Sequence, residues 1–250
     1  MKVYESSLTG AAVRYPEIGQ GRLSVTVPEN PADNSPVVLA LHGSGRGIAD
    51  YHTVPFYMRQ RELCLEYGYT FAVLQNGPDT YGTEEGLHNT ILAAEELLTR
   101  WTSQRSLVLW ATSAGGVCAF RYAAGNMEKL RGIIGTFPVV DLLNVFPILA
   151  SCRAAYGYTE EDYELFAEQI QEKNPAVFLP CLRKIPMYIA HGTADRAVPY
   201  RENALLLSNK AGAHLCPVED GVHGTKDFRY YDHAPHDALQ LLRKHIHVQK

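Results

Sequence analysis

The sequence lacks the features that mark proteins which bind polyanions, membranes or metals. Its 23 Lys and Arg residues are outnumbered by 27 Asp and Glu, giving a formal net charge of −4 at pH 7. The basic residues are scattered, which leaves no electrostatic footprint for nucleic acid or an anionic bilayer. No apolar run approaches the ~20 residues that span a membrane. The longest, such as 132–140 (GIIGTFPVV), are strand-sized, and the opening MKVYESS lacks the apolar stretch of a secretory signal. Cysteines number only five, an odd count without metal-ligand spacing, and no histidine or carboxylate cluster has the spacing of a metal site. The expectation is a cytoplasmic protein with free thiols that needs no metal or cofactor. Cys152 and Cys181 could pair only in an oxidising compartment.

What is present suits a globular fold. Hydrophobic residues make up 46% and charged residues 20% of 250 residues, enough for one compact domain or a domain with an insertion. Residues 22–27 (RLSVTV) alternate with period two, as a half-exposed strand does. Continuous apolar runs at 36–41, 69–74, 106–110, 131–137 and 186–190, with a weaker one at 213–218, read as strands covered on both faces. Between them lie helical stretches. Leu87, Ile91, Ala94 and Leu98 form one apolar stripe, and 114–124, 201–210 and 233–245 are also helical in character. This alternation predicts an α/β fold with a mostly parallel, doubly wound sheet. One segment, 139–184, breaks the rhythm with two expected helices, 141–150 and 160–172. A segment of this size is either a cap over the site or a long helical crossover; the cap reading is preferred and divides the chain into a core of 1–138 and 185–250 and a helical cap insertion at 139–184.

The chemistry concentrates at LWATSAGG (109–116), where a buried strand runs into Ser113 and small residues open a helix. A nucleophile on a strained strand-to-helix turn needs small neighbours two residues away on each side, and Ala111 and Gly115 meet that demand. The helix that follows turns its N–H groups and positive dipole end toward any oxyanion formed at the serine. Taken alone, the stretch also fits a serine capping a helix or a phosphate-binding turn.

The segment resembles the G-x-S-x-G elbow of the α/β-hydrolase superfamily, with alanine in place of the first glycine. AHGTADRAVP (190–199) is similar to the family's HGxxDxxVP, and LHGSG (41–45) to its HGxG. With the helical insertion, these segments look most like small esterases and prolyl-oligopeptidase-related serine hydrolases. The resemblance implies that Ser113 is the nucleophile, Asp195 the triad acid and His223, in the loop GVHG (221–224), the general base. Their chain order is the one this fold uses. It also implies an oxyanion hole built from the backbone N–H groups of Ser44 and Ala114. Asp141, after the preceding strand, is the rival acid. His42 and His191 read as structural, and His214, His233 and His236 as outside the site. The loop carrying Asp79, Thr80 and Tyr81 faces the active edge and could line a substrate pocket, or it could be an ordinary Asn-Gly and Pro-Asp turn.

The implied reaction is hydrolysis of a carboxylic ester of a small-molecule acyl substrate by an acyl-enzyme route. Peptidase, thioesterase or acyltransferase use of the same triad is the alternative, and a non-catalytic ligand-binding protein on the same fold is another. The residues leave the acyl group, the leaving group and the oligomeric state open.

Overall fold

The structure is a computed structural model that describes residues 2–5, 12–15, 17–18, 21–28, 35–77, 80–102, 106–231 and 233–244. Among the described residues ten strands form one sheet: β1 (Lys2–Glu5), β2 (Ala12–Tyr15), β3 (Glu17–Ile18), β4 (Gly21–Val27), β5 (Val37–Leu41), β6 (Thr70–Gln75), β7 (Leu107–Thr112), β8 (Leu130–Thr136), β9 (Met187–Gly192) and β10 (His214–Val218). Their order across the sheet is β1-β2-β4-β6-β5-β7-β8-β9-β10, with β3 paired to β4. From β6 to β10 every pair is parallel, whereas the N-terminal strands join antiparallel. The chain therefore winds outward from β5 in one direction to β6, then in the other from β7 to β10. Such a reversal opens a crevice at the carboxyl ends of the strands on either side of it. β5 and β7 are those strands.

The helices are α1 (Asp50–Thr53), α2 (Pro55–Glu66), α3 (Glu84–Arg100), α4 (Gly115–Gly125), α5 (Leu142–Val145), α6 (Ala150–Tyr156), α7 (Tyr163–Ile170), α8 (Pro175–Phe178), α9 (Leu206–Ala211), entered through a π-helical turn at Arg201–Leu205, and α10 (Ala234–Lys244). They cover both faces, which is why the central strands read as unbroken apolar runs. Successive residues of β5 show the division. Val37, Leu39 and Leu41 pack with Ala93 and Leu97 of α3 and Phe120 of α4. Val38 and Ala40 point the other way, into Phe56 and Leu63 of α2 and Leu239 and Leu242 of α10. Each such fully buried branched or aromatic side chain contributes roughly 1.5–3 kcal/mol. No helix of the described residues is long and apolar enough to cross a membrane.

Two local readings change. No stripe announces α2, because its buried face includes Gln60 and Arg61 beside Phe56, Tyr57, Leu63 and Cys64. The helix expected over 141–150 is instead two, α5 and α6. Pro147, which lacks an N–H, stands between them, and the backbone becomes extended at Leu149 before α6 begins. In 160–172, the first turn is 3₁₀ and the α-helix proper is α7.

The segment 139–184 builds a third cluster of its own. Phe146 and Phe166 stack at 4.2 Å, and Leu142, Val145, Cys152 and Ile170 join them, together with Ala114, Val117 and Val198 of the core. Two asparagines fasten its stem. Asn203 accepts from the Val140 and Asp141 amides (2.8 and 3.1 Å), and Asn174 accepts from the Leu142 amide (3.0 Å).

Candidate active site

Ser113 lies between the end of β7 and the start of α4 with φ +49, a left-handed conformation unusual for a residue with a side chain. The turn is held from both sides. The Ser113 amide donates to the Thr136 carbonyl (3.2 Å), and its carbonyl accepts from the Gly116 and Val139 amides (2.9 Å each). Gly115 is sterically required, since a Cβ there would stand 2.1 Å from the Leu41 carbonyl oxygen. The α4 N-terminus is thus pressed against the end of β5, and the serine has little freedom to move.

His223 comes to this serine from the far side of the sheet. Ser113 Oγ and His223 Nε2 are 3.0 Å apart, and His223 Nδ1 is 2.7 Å from Asp195 Oδ2. A carboxylate only accepts, so Nδ1 carries the proton and the Nε2 lone pair faces the serine hydroxyl. Asp195 is buried and its acceptor sites are well filled. Oδ1 takes the Ala197 and Val198 amides (2.9 Å each), while His191 Nε2 lies 3.4 Å from Oδ2. Burial pushes this carboxyl up, but the hydrogen bonds from His191 and His223, the His223 charge and the Val198 amide outweigh it and hold it well below the usual range. His191 also bonds the Val198 carbonyl through Nε2 (2.7 Å), which requires a proton on that nitrogen.

The loop bearing His223 is fastened by side chains that motif reading passes over. Phe137, itself at φ +39, places its ring 4.4 Å from the imidazole. Tyr230 donates its hydroxyl to the Val222 carbonyl (2.9 Å). Arg229 donates to the Glu219 and Asp220 carbonyls (2.8 and 3.2 Å) and pairs with Asp227 (2.8 Å). None follows a local pattern, because each contact joins residues whose partners are fixed only by the folded loop.

The loop after β5 closes the other side. A Cβ on Gly43 would stand 3.2 Å from Ser113 Cβ, so the loop abuts the serine at Gly43. The loop turns through Gly45 at φ +67, with the Arg46 amide bonded to the Gly43 carbonyl (3.3 Å). Ala114 is the N-cap of α4, so its amide precedes the first intrahelical donor. Among the described residues, no His, Cys, Asp and Glu group is arranged to hold a metal ion. A hydroxyl bonded to an imidazole, itself bonded to a buried carboxylate, can give up its proton as it attacks an electrophilic carbon.

No family model matches the chain, and no curated protein sequence matches it. Solved structures match over almost its whole length. Est1E from Butyrivibrio proteoclasticus superposes with a TM-score of 0.67 at 16% identity, covering 94% of this chain and 97% of that one. Carboxyl esterase 2 from Tuber melanosporum gives 0.69 at 15%, covering 96% and 86%. An acylaminoacyl peptidase from Pyrococcus horikoshii gives 0.69 at 13%, covering 94% of this chain but 41% of its own. The chain has the α/β-hydrolase fold. At these identities the likeness concerns the architecture.

Within the α/β-hydrolase fold, the other candidates take distinct places. Asp141 caps α5 through the Leu143 amide (3.1 Å) and accepts from Asn174 (2.8 Å), with no bond to His223. Thr80 is buried and donates to the His42 carbonyl (2.8 Å), and buried Tyr81 shares a hydrogen bond with Ser151 (2.8 Å). Both brace the edge of the site against its surroundings. Asp79 lies outside the described residues. His42 bonds the Gly43 carbonyl (2.8 Å), while His214, His233 and His236 are exposed.

Proposed function

We propose that the chain is a serine hydrolase that cleaves carboxylic esters, with Ser113 as nucleophile, His223 as general base and Asp195 orienting that base. The observation that carries the reading is the continuous chain from Ser113 Oγ to His223 (3.0 Å) to Asp195 (2.7 Å), beginning on a left-handed turn at the switch point of the sheet. During attack His223 takes the serine proton, and it returns that proton to the departing alcohol. Asp195 holds the tautomer and steadies the imidazolium without being protonated. The Ser44 and Ala114 amides take the oxyanion, each such donor being worth ~3 kcal/mol of transition-state stabilisation. Water then releases the acid by the same steps in reverse roles.

Segment 139–184 serves in this reading as a cap over the site. Support comes from its aromatic cluster, which packs on Ala114 and Val198, next to the serine and just beyond the aspartate in sequence. Esters are favoured over peptides because the two esterases named above match along most of their own length, whereas less than half of the peptidase is covered.

A fluorophosphonate probe should label the native protein at Ser113, and Ser113→Ala should abolish the labelling. p-Nitrophenyl esters of graded chain length, run beside aminoacyl p-nitroanilides, then separate ester from amide cleavage. A native protein that takes no probe and turns over neither substrate class overturns the reading.

A further inference from the structure

Arg46 stands on the loop that abuts the nucleophile, and the triad makes no use of its charge. The Gly43 carbonyl accepts from the Arg46 amide (3.3 Å), a turn that keeps the two residues within about 7 Å of each other. A Cβ on Gly43 would stand 3.2 Å from both Ser113 Cβ and the Tyr57 hydroxyl. The backbone that bears the arginine is therefore seated against the serine. Beyond it the loop is fastened twice more. The Gly47 amide donates to Asp50 Oδ2 (2.8 Å), and the Ile48 amide donates to Gln75 Oε1 at the end of β6 (2.8 Å).

The guanidinium is held without being used up. Nη1 donates to Asp50 Oδ1 (3.1 Å), the one partner of this side chain among the described residues, and an arginine carries five N–H donors. The side chain is 38% exposed, so a ligand can reach it. Nor does Asp50 cancel its field beside the serine. Burial pushes the Tyr57 phenol up, while the Gly43 backbone bond and then the Arg46 charge pull it down, ahead of the opposing push from Asp50. The positive member of the pair is the one felt more strongly there. We propose that Arg46 recognises a carboxylate carried by the ester that Ser113 attacks. The inference rests on the acyl-transfer reading of Ser113 and names the substrate class for it. The planar fork suits a carboxylate, which can accept two parallel N–H bonds. A chain with net charge −4 repels anions at a distance, so a cation fixed at the site is what would admit one. Arg46 moves no proton in this role; His223 alone transfers one.

The test uses pairs of esters that differ only in a terminal charge. 4-Nitrophenyl hydrogen adipate and its methyl ester carry the difference on the acyl side, and 3-carboxyphenyl butyrate and its methyl ester carry it on the leaving alcohol. For each enzyme, kcat/KM for the anionic ester is divided by that for its neutral mate, so general damage to the site cancels. Arg46→Gln should lower this ratio about tenfold, the scale of one charged hydrogen bond, and the pair that responds shows which side carries the anion. Arg46→Lys should keep part of the preference. Asp50→Asn removes the competing charge while leaving an acceptor for the Gly47 amide, and it should raise the ratio. High salt should depress the wild-type ratio. Ratios that Arg46→Gln leaves unmoved in both pairs overturn the proposal, and so does an Asp50→Asn enzyme whose ratio stays level or falls. Should the Gln variant fail to fold, the Asp50→Asn result decides. A wild type that takes no fluorophosphonate and cleaves none of the four esters fails the hydrolase reading itself, which is a separate result.

Discussion

Ser113 and His223 meet at 3.0 Å, but they are held there by different kinds of force. The serine is placed by covalent and steric geometry. A central strand ends, the backbone turns through a left-handed residue, and α4 begins with glycine jammed against the Leu41 carbonyl. The histidine rides a loop whose shape depends on side chains, namely Phe137 beneath the ring, Tyr230 on the preceding carbonyl and Arg229 across the loop's first half. One half of the site is rigid by construction. The other is rigid only while its fasteners hold.

The comparison breaks most sharply at Asp195. Asp195→Asn should lower kcat by ~10⁴-fold, as the imidazole loses its tautomer and its counter-charge while the geometry survives. A pH series on stability adds a second readout. The wild-type carboxyl is held below its ordinary value, so the stabilisation from its partners is complete above about pH 4 and is lost as the pH falls further toward the folded-state value. Urea midpoints of the wild type should therefore fall in that acid range, and those of the Asn variant should change less.

The serine half should fail through its backbone. Gly115→Ala puts a methyl group 2.1 Å from a main-chain oxygen that cannot swing aside. It should cost about 3 kcal/mol of stability, read from denaturant midpoints. A smaller test of the same turn compares Ser113→Gly with Ser113→Ala. Glycine accepts the left-handed conformation that alanine resists, so the glycine variant should be the more stable by about 1 kcal/mol. Least of all, Arg229→Ala should lower kcat by less than about fivefold, as expected of an ion pair whose arginine is exposed. The loss should shrink in high salt, where the wild-type pair is itself screened. A hundredfold loss there would make the histidine loop as dependent on one residue as the serine turn is on Gly115.

The same contrast decides what could be read from the sequence. The sheet was legible because strands covered on both faces must be continuously apolar, and the serine turn because its steric demands fall on adjacent residues. Asp195 and His223 were singled out through motif likeness and chain order, with no local geometry behind them. Phe137 and Arg229 left no trace, since an aromatic ring under an imidazole and a guanidinium spanning a loop depend on how the loop folds. Helix α2 was hidden for a related reason: it buries Gln60 and Arg61 where an apolar stripe was expected. The break between α5 and α6 could have been read from Pro147.

The sheet order carries one further consequence. Ser113 follows a central strand, whereas Asp195 and His223 follow β9 and β10, the last two strands at one margin. β10 is the margin itself, partly exposed along its length and, among the described residues, paired on one side only. Thermal fraying reaches such a border first, while Trp110 in the interior of β7 still senses an intact core. Heat would then silence the protein before it melts, and cooling would restore the function without any need to refold the centre.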